Sequence, residues 1–291
     1  MQSNDNNLNL NQLNKIFEAK MTEKDFLRLS QFIFNEYGIK MPPAKKIMLQ
    51  SRLQKRLREL NIPSYKEYTD FVFSKEGQAE IIHMIDVVST NKTDFFREST
   101  HFDFMISDVL PELHDVVQIR RPIKVWSAGC SSGEEPYTIA IVMNEFAEKR
   151  ANFDYSIFAS DISTIMLEKG ATAVYTEDRI AVIPNSLKKK YFLKSKDRNA
   201  KTVRIMPLLR HKVQFHRVNF MDNSYNVNDT FDIIFCRNVL IYFDRETQES
   251  VINKLCRHLR KDGFFFLGHS ESITAINVPL KQIKPTIFRK V

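Results

Sequence analysis

The chain has 291 residues, which suits one large domain or two ordinary ones, and 43% of them are hydrophobic, which excludes wholesale disorder. Lys and Arg number 43 against 35 Asp and Glu, and the net charge of +8 invites an acidic partner such as nucleic acid, an anionic membrane face or a carboxylate-rich protein. Three cysteines with no C-x-x-C pair argue against a disulfide framework or a thiolate zinc site, and there is no run of about 18 apolar residues to span a membrane.

In chain order, Met1 to Asn14 is polar and Asn-rich and lacks the apolar stretch of a secretory signal, so residues 1–20 read as a loose tail on a soluble, cytoplasmic protein. Residues 21–96 have helical grammar: Phe26, Leu29, Ile33 and Phe34, then Leu49, Leu53, Leu57 and Leu60, then Tyr65 to Phe73 and Ile81 to Val88. Residues 97–121 read as a linker. From 122 to 291 short apolar runs alternate with helices: Ile123 to Ala128, Tyr155 to Ser160, Val213 to Val218, Phe231 to Arg237, Phe264 to Gly268 and Pro285 to Lys290 are strands. The helix Glu246 to Leu259 is expected to stop at Lys261-Asp262-Gly263. This pattern predicts an α/β domain on an open, mostly parallel sheet, interrupted near 190–212 by a small β insertion or a surface loop.

In such a sheet ligands bind beyond the carboxyl ends of the strands, so the strand ends hold the candidate site. The first turn, Gly129-Cys130-Ser131-Ser132-Gly133-Glu134-Glu135, is neither G-x-G-x-x-G nor a P-loop. Its two carboxylates would repel a pyrophosphate and welcome a cationic ligand, although acids also simply complement a helix N-terminus. Asp161 can accept ribose hydroxyls or cap the next helix, a role open to Ser163 as well. Asn219 and Phe220 offer an amide edge and an apolar wall, while ordinary core packing is the commoner fate of a Phe such as Phe220. Nucleoside contacts without phosphates suggest S-adenosylmethionine.

Five segments make a resemblance specific: Asn91-Lys92-Thr93-Asp94-Phe95-Phe96-Arg97, Trp126 to Tyr137, Ala159-Ser160-Asp161-Ile162, Phe231 to Phe243, and Gly268-His269-Ser270-Glu271. Together, from about Thr22 to Val291, the chain resembles the CheR-type chemotaxis receptor glutamate methyltransferases. The resemblance implies a Rossmann-like S-adenosylmethionine-dependent methyltransferase domain with a small β insertion, preceded by an all-α domain. It implies methyl esterification of glutamates on the cytoplasmic helical region of receptors, for sensory adaptation, with S-adenosylhomocysteine as product. It assigns Asn91, Thr93 and Arg97 to closing over the cofactor, Glu135, Asp161, Asn219, Phe220, Arg237 and Asn238 to its pocket, and Arg97 and Tyr242 to the reacting centre. It assigns the basic helix carrying Lys45, Lys46, Arg52, Lys55, Arg56 and Arg58 to receptor docking. One departure stands out: the stretch Lys194 to Ala200 and Lys201 has no glycine, which argues against tethering of a receptor C-terminal peptide through the insertion.

A glutamate acceptor has a pKa of about 4.3 and is already an anion at neutral pH, so no Ser-His-Asp set, reactive cysteine or metal is required. His269 then reads as structural, and Phe95, Phe96, Tyr242 and Phe243 as walls that keep the site dry. A nucleic-acid methyltransferase would need stacking platforms or a base reader beside the site, and no such signal is present.

Overall fold

Thr22 opens α1 (Glu23–Tyr37) with a reciprocal cap: its side chain accepts the Asp25 N–H while Asp25 reaches back to the Thr22 N–H. The structure, a computed structural model, describes residues 16–116, 121–197 and 199–291; of the predicted tail, residues 1–20, only 16–20 are described, and there the expectation of a loose chain does not hold, since residues 16–18 are helical and Ile16 is fully buried. The chain separates into two units after Thr90.

In the first unit, α2 (Lys46–Leu60) buries Leu49, Leu53 and Leu57 and ends at Asn61 in the left-handed conformation. α3 (Tyr65–Val72) is capped by Ser64, whose side chain accepts the Glu67 N–H, and α4 (Glu80–Val88) completes the packing. Buried Glu80 accepts both arms of the Arg56 guanidinium, at 2.7 and 2.6 Å, and the Tyr68 hydroxyl at 3.0 Å.

The second unit begins at Asn91, so the segment 91–96 belongs with the α/β fold and not with the helices before it. Residues 97–121 are not a linker where they are described. α5 (Thr100–Phe104) runs on into further helical turns through Met105–Val109, and Phe102, Met105, Val109, Leu110 and Leu113 are buried in the main core. Phe102, Met105, Val109 and Leu113 recur at helical spacings of three and four, a buried face that the linker reading passed over.

Seven strands form the main sheet: β1 (Ile123–Ala128), β2 (Tyr155–Asp161), β6 (Val213–Arg217), β7 (Phe231–Cys236), β8 (Leu259–Leu267), β9 (Leu280–Lys284) and β10 (Ile287–Lys290). Their order is β6-β2-β1-β7-β8-β10-β9. The neighbours from β6 to β8 pair in parallel, and β10 runs antiparallel to both β8 and β9. Helices α6 (Glu134–Ala147), α7 (Thr164–Thr172) and α10 (Arg245–Arg257) supply the crossovers, and buried side chains cover both faces of the sheet. β1 lies between β2 and β7, so the chain reverses its direction of winding there, and the crevice at that switch point is where such sheets bind ligands.

The predicted glycine stop of α10 is not found. The helix ends at Arg257, His258 caps it with φ −92°, and β8 begins at Leu259. Leu259 pairs with Phe231 and Phe264 with Ile233, so residues 260–263 bulge out of the strand, with Asp262 at φ 58°. The interrupting segment is a β insertion, and it starts earlier than the expected 190–212: β3 (Val174–Thr176), β4 (Phe192–Lys194) and β5 (Thr202–Ile205) form an antiparallel sheet in the order β3-β5-β4, accompanied by α8 (Asn185–Tyr191) and α9 (Pro207–Arg210). No helix among the described residues is long and apolar enough to cross a membrane.

Candidate active site

β1 hands over to α6 through a turn that only glycine satisfies at two points. Gly129 has φ 84°, and a Cβ there would sit 2.3 Å from Cγ2 of Val239. Gly133 has φ 97°, and its Cβ would meet the Tyr175 hydroxyl at 2.9 Å. The turn is tied to the tip of β2 by the Gly129 and Cys130 N–H groups, which donate to Ser160 O at 2.7 and 2.8 Å.

Asp161 ends β2 with its carboxylate accepting the N–H groups of Ser131 at 2.8 Å and Ser163 at 2.9 Å. Ser163 is the cap of α7, its side chain accepting the Met166 N–H at 3.3 Å. The alternative left open by the sequence is thereby resolved: the serine does the capping and the acid holds the two loops together at the strand tip.

The paired acids at the entrance of α6 have different surroundings. Glu134 is buried, accepts the Ser132 hydroxyl at 2.7 Å and pairs with Arg179, which also donates to Thr93 O and to Asp94. Glu135 accepts the Ser127 hydroxyl at 2.7 Å and Nη1 of Arg237 at 3.1 Å. Burial pushes the Glu135 carboxyl above the usual carboxylate range, against the opposing pull of the Arg237 charge.

Arg237, at the end of β7, is the hub. Its guanidinium lies between Glu135 and Glu98, whose Oε2 accepts Nη2 at 3.0 Å, and over the Phe102 ring at 5.4 Å. Nη2 also donates to the Arg97 carbonyl, while the buried Nε has no partner. Glu98 further accepts Nδ2 of Asn238 at 3.2 Å and the His269 N–H at 3.2 Å. Burial pushes Glu98 up, but Arg237 outweighs it and holds the carboxyl below its ordinary range. Beside them Glu271 is buried and accepts the N–H groups of Asn238, Leu240 and Gly268, which fixes the turn after β7.

The predicted strap, Asn91 to Arg97, lies over this corner. Asn91 O accepts the Ser131 hydroxyl at 2.9 Å, Thr93 is buried, and the Phe96 N–H donates to Thr138 at 3.1 Å. Arg97 donates to Lys92 O at 3.1 Å. Phe96, Glu98, Ser131 and Asn238 all have φ between 49° and 60°, a conformation costing non-glycine residues about 1–2 kcal/mol each. Such strain gathers where a site over-determines its backbone.

Other expectations are redistributed. Phe95 packs edge-on against Tyr175 and Phe192, and Phe220 packs against Tyr225 with its carbonyl taken by Lys254, so both serve as core. Asn219 turns its own loop by accepting the Met221 N–H at 3.1 Å. Tyr242 sits half-buried on a short helical turn, Leu240–Tyr242, after β7. On the basic helix, Arg56 is spent on Glu80 and Glu59, Arg52 caps α4 through Val88 O and Ser89 O, and Lys46 pairs with Glu23. Lys45 donates to Lys40 O, while Lys55 and Arg58 are exposed. Sequence reasoning assigned no role to Glu98, Glu271 or Arg179. The first two stood inside or next to quoted motifs, and only the fold brings Arg179 to the turn.

Two carboxylates around one guanidinium leave a net negative charge, which suits a cationic donor and disfavours a phosphate-bearing one. The buried Nε of Arg237 has no hydrogen-bond partner, and the Asp161 carboxylate stands at the tip of β2. S-adenosylmethionine fits this set, being a sulfonium-linked nucleoside and amino acid. Glu98, His101 and His269 bring ligand atoms within 4.8 Å of one another, but the Glu98 charge is already compensated by Arg237.

Comparison with known proteins agrees with this chemistry. The family model described as the CheR methyltransferase SAM binding domain matches residues 91–288, and that described as its all-alpha domain matches residues 24–89. A chemotaxis protein methyltransferase of Borreliella burgdorferi is 39% identical over 293 residues, covering 100% of both chains. A second, from Pseudomonas aeruginosa, is 34% identical over 93% of this chain and 94% of its own length. A third, from Salmonella typhimurium, is 35% identical over 87% of this chain and 85% of its own.

Proposed function

Because this chain belongs to the CheR methyltransferase family, we propose that it transfers a methyl group from S-adenosylmethionine to glutamate side chains on the cytoplasmic helices of chemotaxis receptors, as a protein-glutamate O-methyltransferase. The observation that carries the reading is the Glu135–Arg237–Glu98 cluster under the Asn91 to Arg97 strap, at the switch point of the sheet. The cofactor, when bound, supplies a methyl carbon made electrophilic by an adjacent sulfonium.

Glu135 and Asp161 hold its polar parts, Asp161 on the ribose. Asn91, Thr93 and Arg97 close over it, and Asn219, Arg237 and Asn238 complete the pocket, Phe220 staying in the core. The acceptor carboxylate arrives ionised, so no residue need remove a proton. Arg97 orients it through a fork of two hydrogen bonds, and Tyr242 flanks the line of attack. Alignment of this kind contributes several kcal/mol, up to roughly 7–11 in the best intramolecular cases. An anion meets a cation, so charge disappears along the path and a dry site favours it; Phe96 and Phe243 help exclude water. Too firm a grip by Arg97 would stabilise the ground state and slow the step.

The exposed cations of α2, Lys55 and Arg58, with Lys45, meet the acidic faces of receptor helices. The glycine-free loop leaves a receptor C-terminal tether out of this scheme. The test is transfer of a labelled methyl group to receptor-bearing membranes: base-labile label on receptor glutamates is expected. A protein that binds S-adenosylhomocysteine yet leaves receptors unlabelled would overturn the proposal.

A further inference from the structure

Glu98 is distinguished by what it connects. It sits on the strap in a left-handed conformation, φ 55°, and its two oxygens reach three groups on two strand tips. Oε2 takes Nη2 of Arg237 after β7 at 3.0 Å and the His269 N–H after β8 at 3.2 Å, while Oε1 takes Nδ2 of Asn238 at 3.2 Å. Its side chain is 13% exposed and that of Arg237 is 2% exposed, so the ion pair is poorly screened by solvent. Arg237 is thus held by Glu98 and the Arg97 carbonyl at one nitrogen and by Glu135 at another, while Nε is the one guanidinium nitrogen without a partner.

A guanidinium is planar, so fixing two of its nitrogens fixes the direction of the third. From this geometry we infer that Glu98 is a positioning residue of the methyl-transfer site, setting the orientation of Arg237 and Asn238 toward the cofactor and locking the strap to the strand tips. The inference rests on the reading that Arg237 and Asn238 hold the cofactor, and adds that their aim depends on a carboxylate that does not itself touch it. Glu98 acts here through Arg237, whereas a merely structural Glu98 would support the fold independently of that residue.

A double-mutant cycle separates the two. Affinity for S-adenosylhomocysteine is measured by calorimetry for the full chain, Glu98→Gln, Arg237→Lys and the double variant, with thermal midpoints alongside. The amide retains the shape of Glu98 but offers only one accepting atom and no charge. Glu98→Gln is expected to weaken binding about tenfold in the parent, and threefold or less where Arg237→Lys has already removed the fork. A tenfold loss that persists in the Arg237→Lys background, or an affinity unchanged by Glu98→Gln, overturns the inference. Should Glu98→Gln not fold, Glu98→Asp takes its place in the same cycle, since it keeps the charge but shortens the reach, and the same outcomes decide. A parent protein with no affinity at all would sink the cofactor reading as well, whereas a binding parent with an indifferent Glu98 sinks this inference alone.

Discussion

In the proposed mechanism Arg97 and Tyr242 are the side chains on which the chemistry turns. Arg97→Ala should lower turnover about 10²-fold, as loss of alignment does, while S-adenosylhomocysteine still binds; steady-state rates and calorimetry check this, and equal turnover refutes the role. Tyr242→Phe isolates the hydroxyl, and an unchanged rate would reduce Tyr242 to a wall. His101 makes a separate prediction. It is buried, its Nε2 meets the Thr286 hydroxyl at 2.8 Å, and its Nδ1 has no hydrogen-bond partner. Burial, helped by the Arg237 charge, lowers its pKa to about 4 although Glu98 pulls the other way. A folded pKa below the unfolded value of about 6.5 means that the unfolded chain binds the extra proton first. Stability therefore falls as pH drops from about 6.5 toward 4, by about 3 kcal/mol from this group. Urea midpoints across that window should show the slope, and His101→Gln should flatten it. His101 was invisible to motif reading because nothing in its sequence neighbourhood announces burial beside an arginine.

At the level of elements, the strand tips depend on how β7 is anchored at its other end. Asp232 is completely buried, accepts both arms of Arg121 at 2.8 and 2.9 Å and the Lys124 N–H at 2.9 Å, and forms an ion pair with Arg260 at 3.0 Å. Asp232→Ala strands these donors and should cost roughly 3–5 kcal/mol, read from chemical unfolding. The same end of the sheet shows where sequence reading of an element failed. Lys261-Asp262-Gly263 looked like a helix stop because Gly after charged residues usually is one, but Leu259 is fully buried beside Phe231 and draws the chain into β8 earlier. The strands Ile123–Ala128 and Phe231–Cys236 were legible as continuous apolar runs bounded by turns, because a strand covered on both faces has no polar side.

On the scale of the whole molecule, the charge of +8 is only partly available to a partner. Arg56, Arg52 and Lys46 are engaged inside the helical unit, and Lys55 pairs with Glu59 only at 3.7 Å, so the proposed docking rests on Lys55, Arg58 and Lys45. Long-range attraction to acidic receptor helices should weaken about tenfold or more between about 0.05 and 0.5 M salt, and Lys55→Glu with Arg58→Glu should remove most of that dependence. Receptor affinity that ignores salt would count against the docking reading.

The sequence by itself determined the class of fold, the alternation of strands and helices, the motif-bearing tips and the kind of donor those tips admit, because apolar periodicity and turn chemistry are local and act before any contact forms. Only the tertiary structure decided which of the basic residues face solvent, that Phe102, Met105, Val109, Leu110 and Leu113 belong to the core, that Ser163 and not Asp161 caps the helix, and that Glu98 joins three groups 139 to 171 positions away. Those outcomes depend on which side chains meet across the fold, and charge pairing at that distance in sequence leaves no periodic trace.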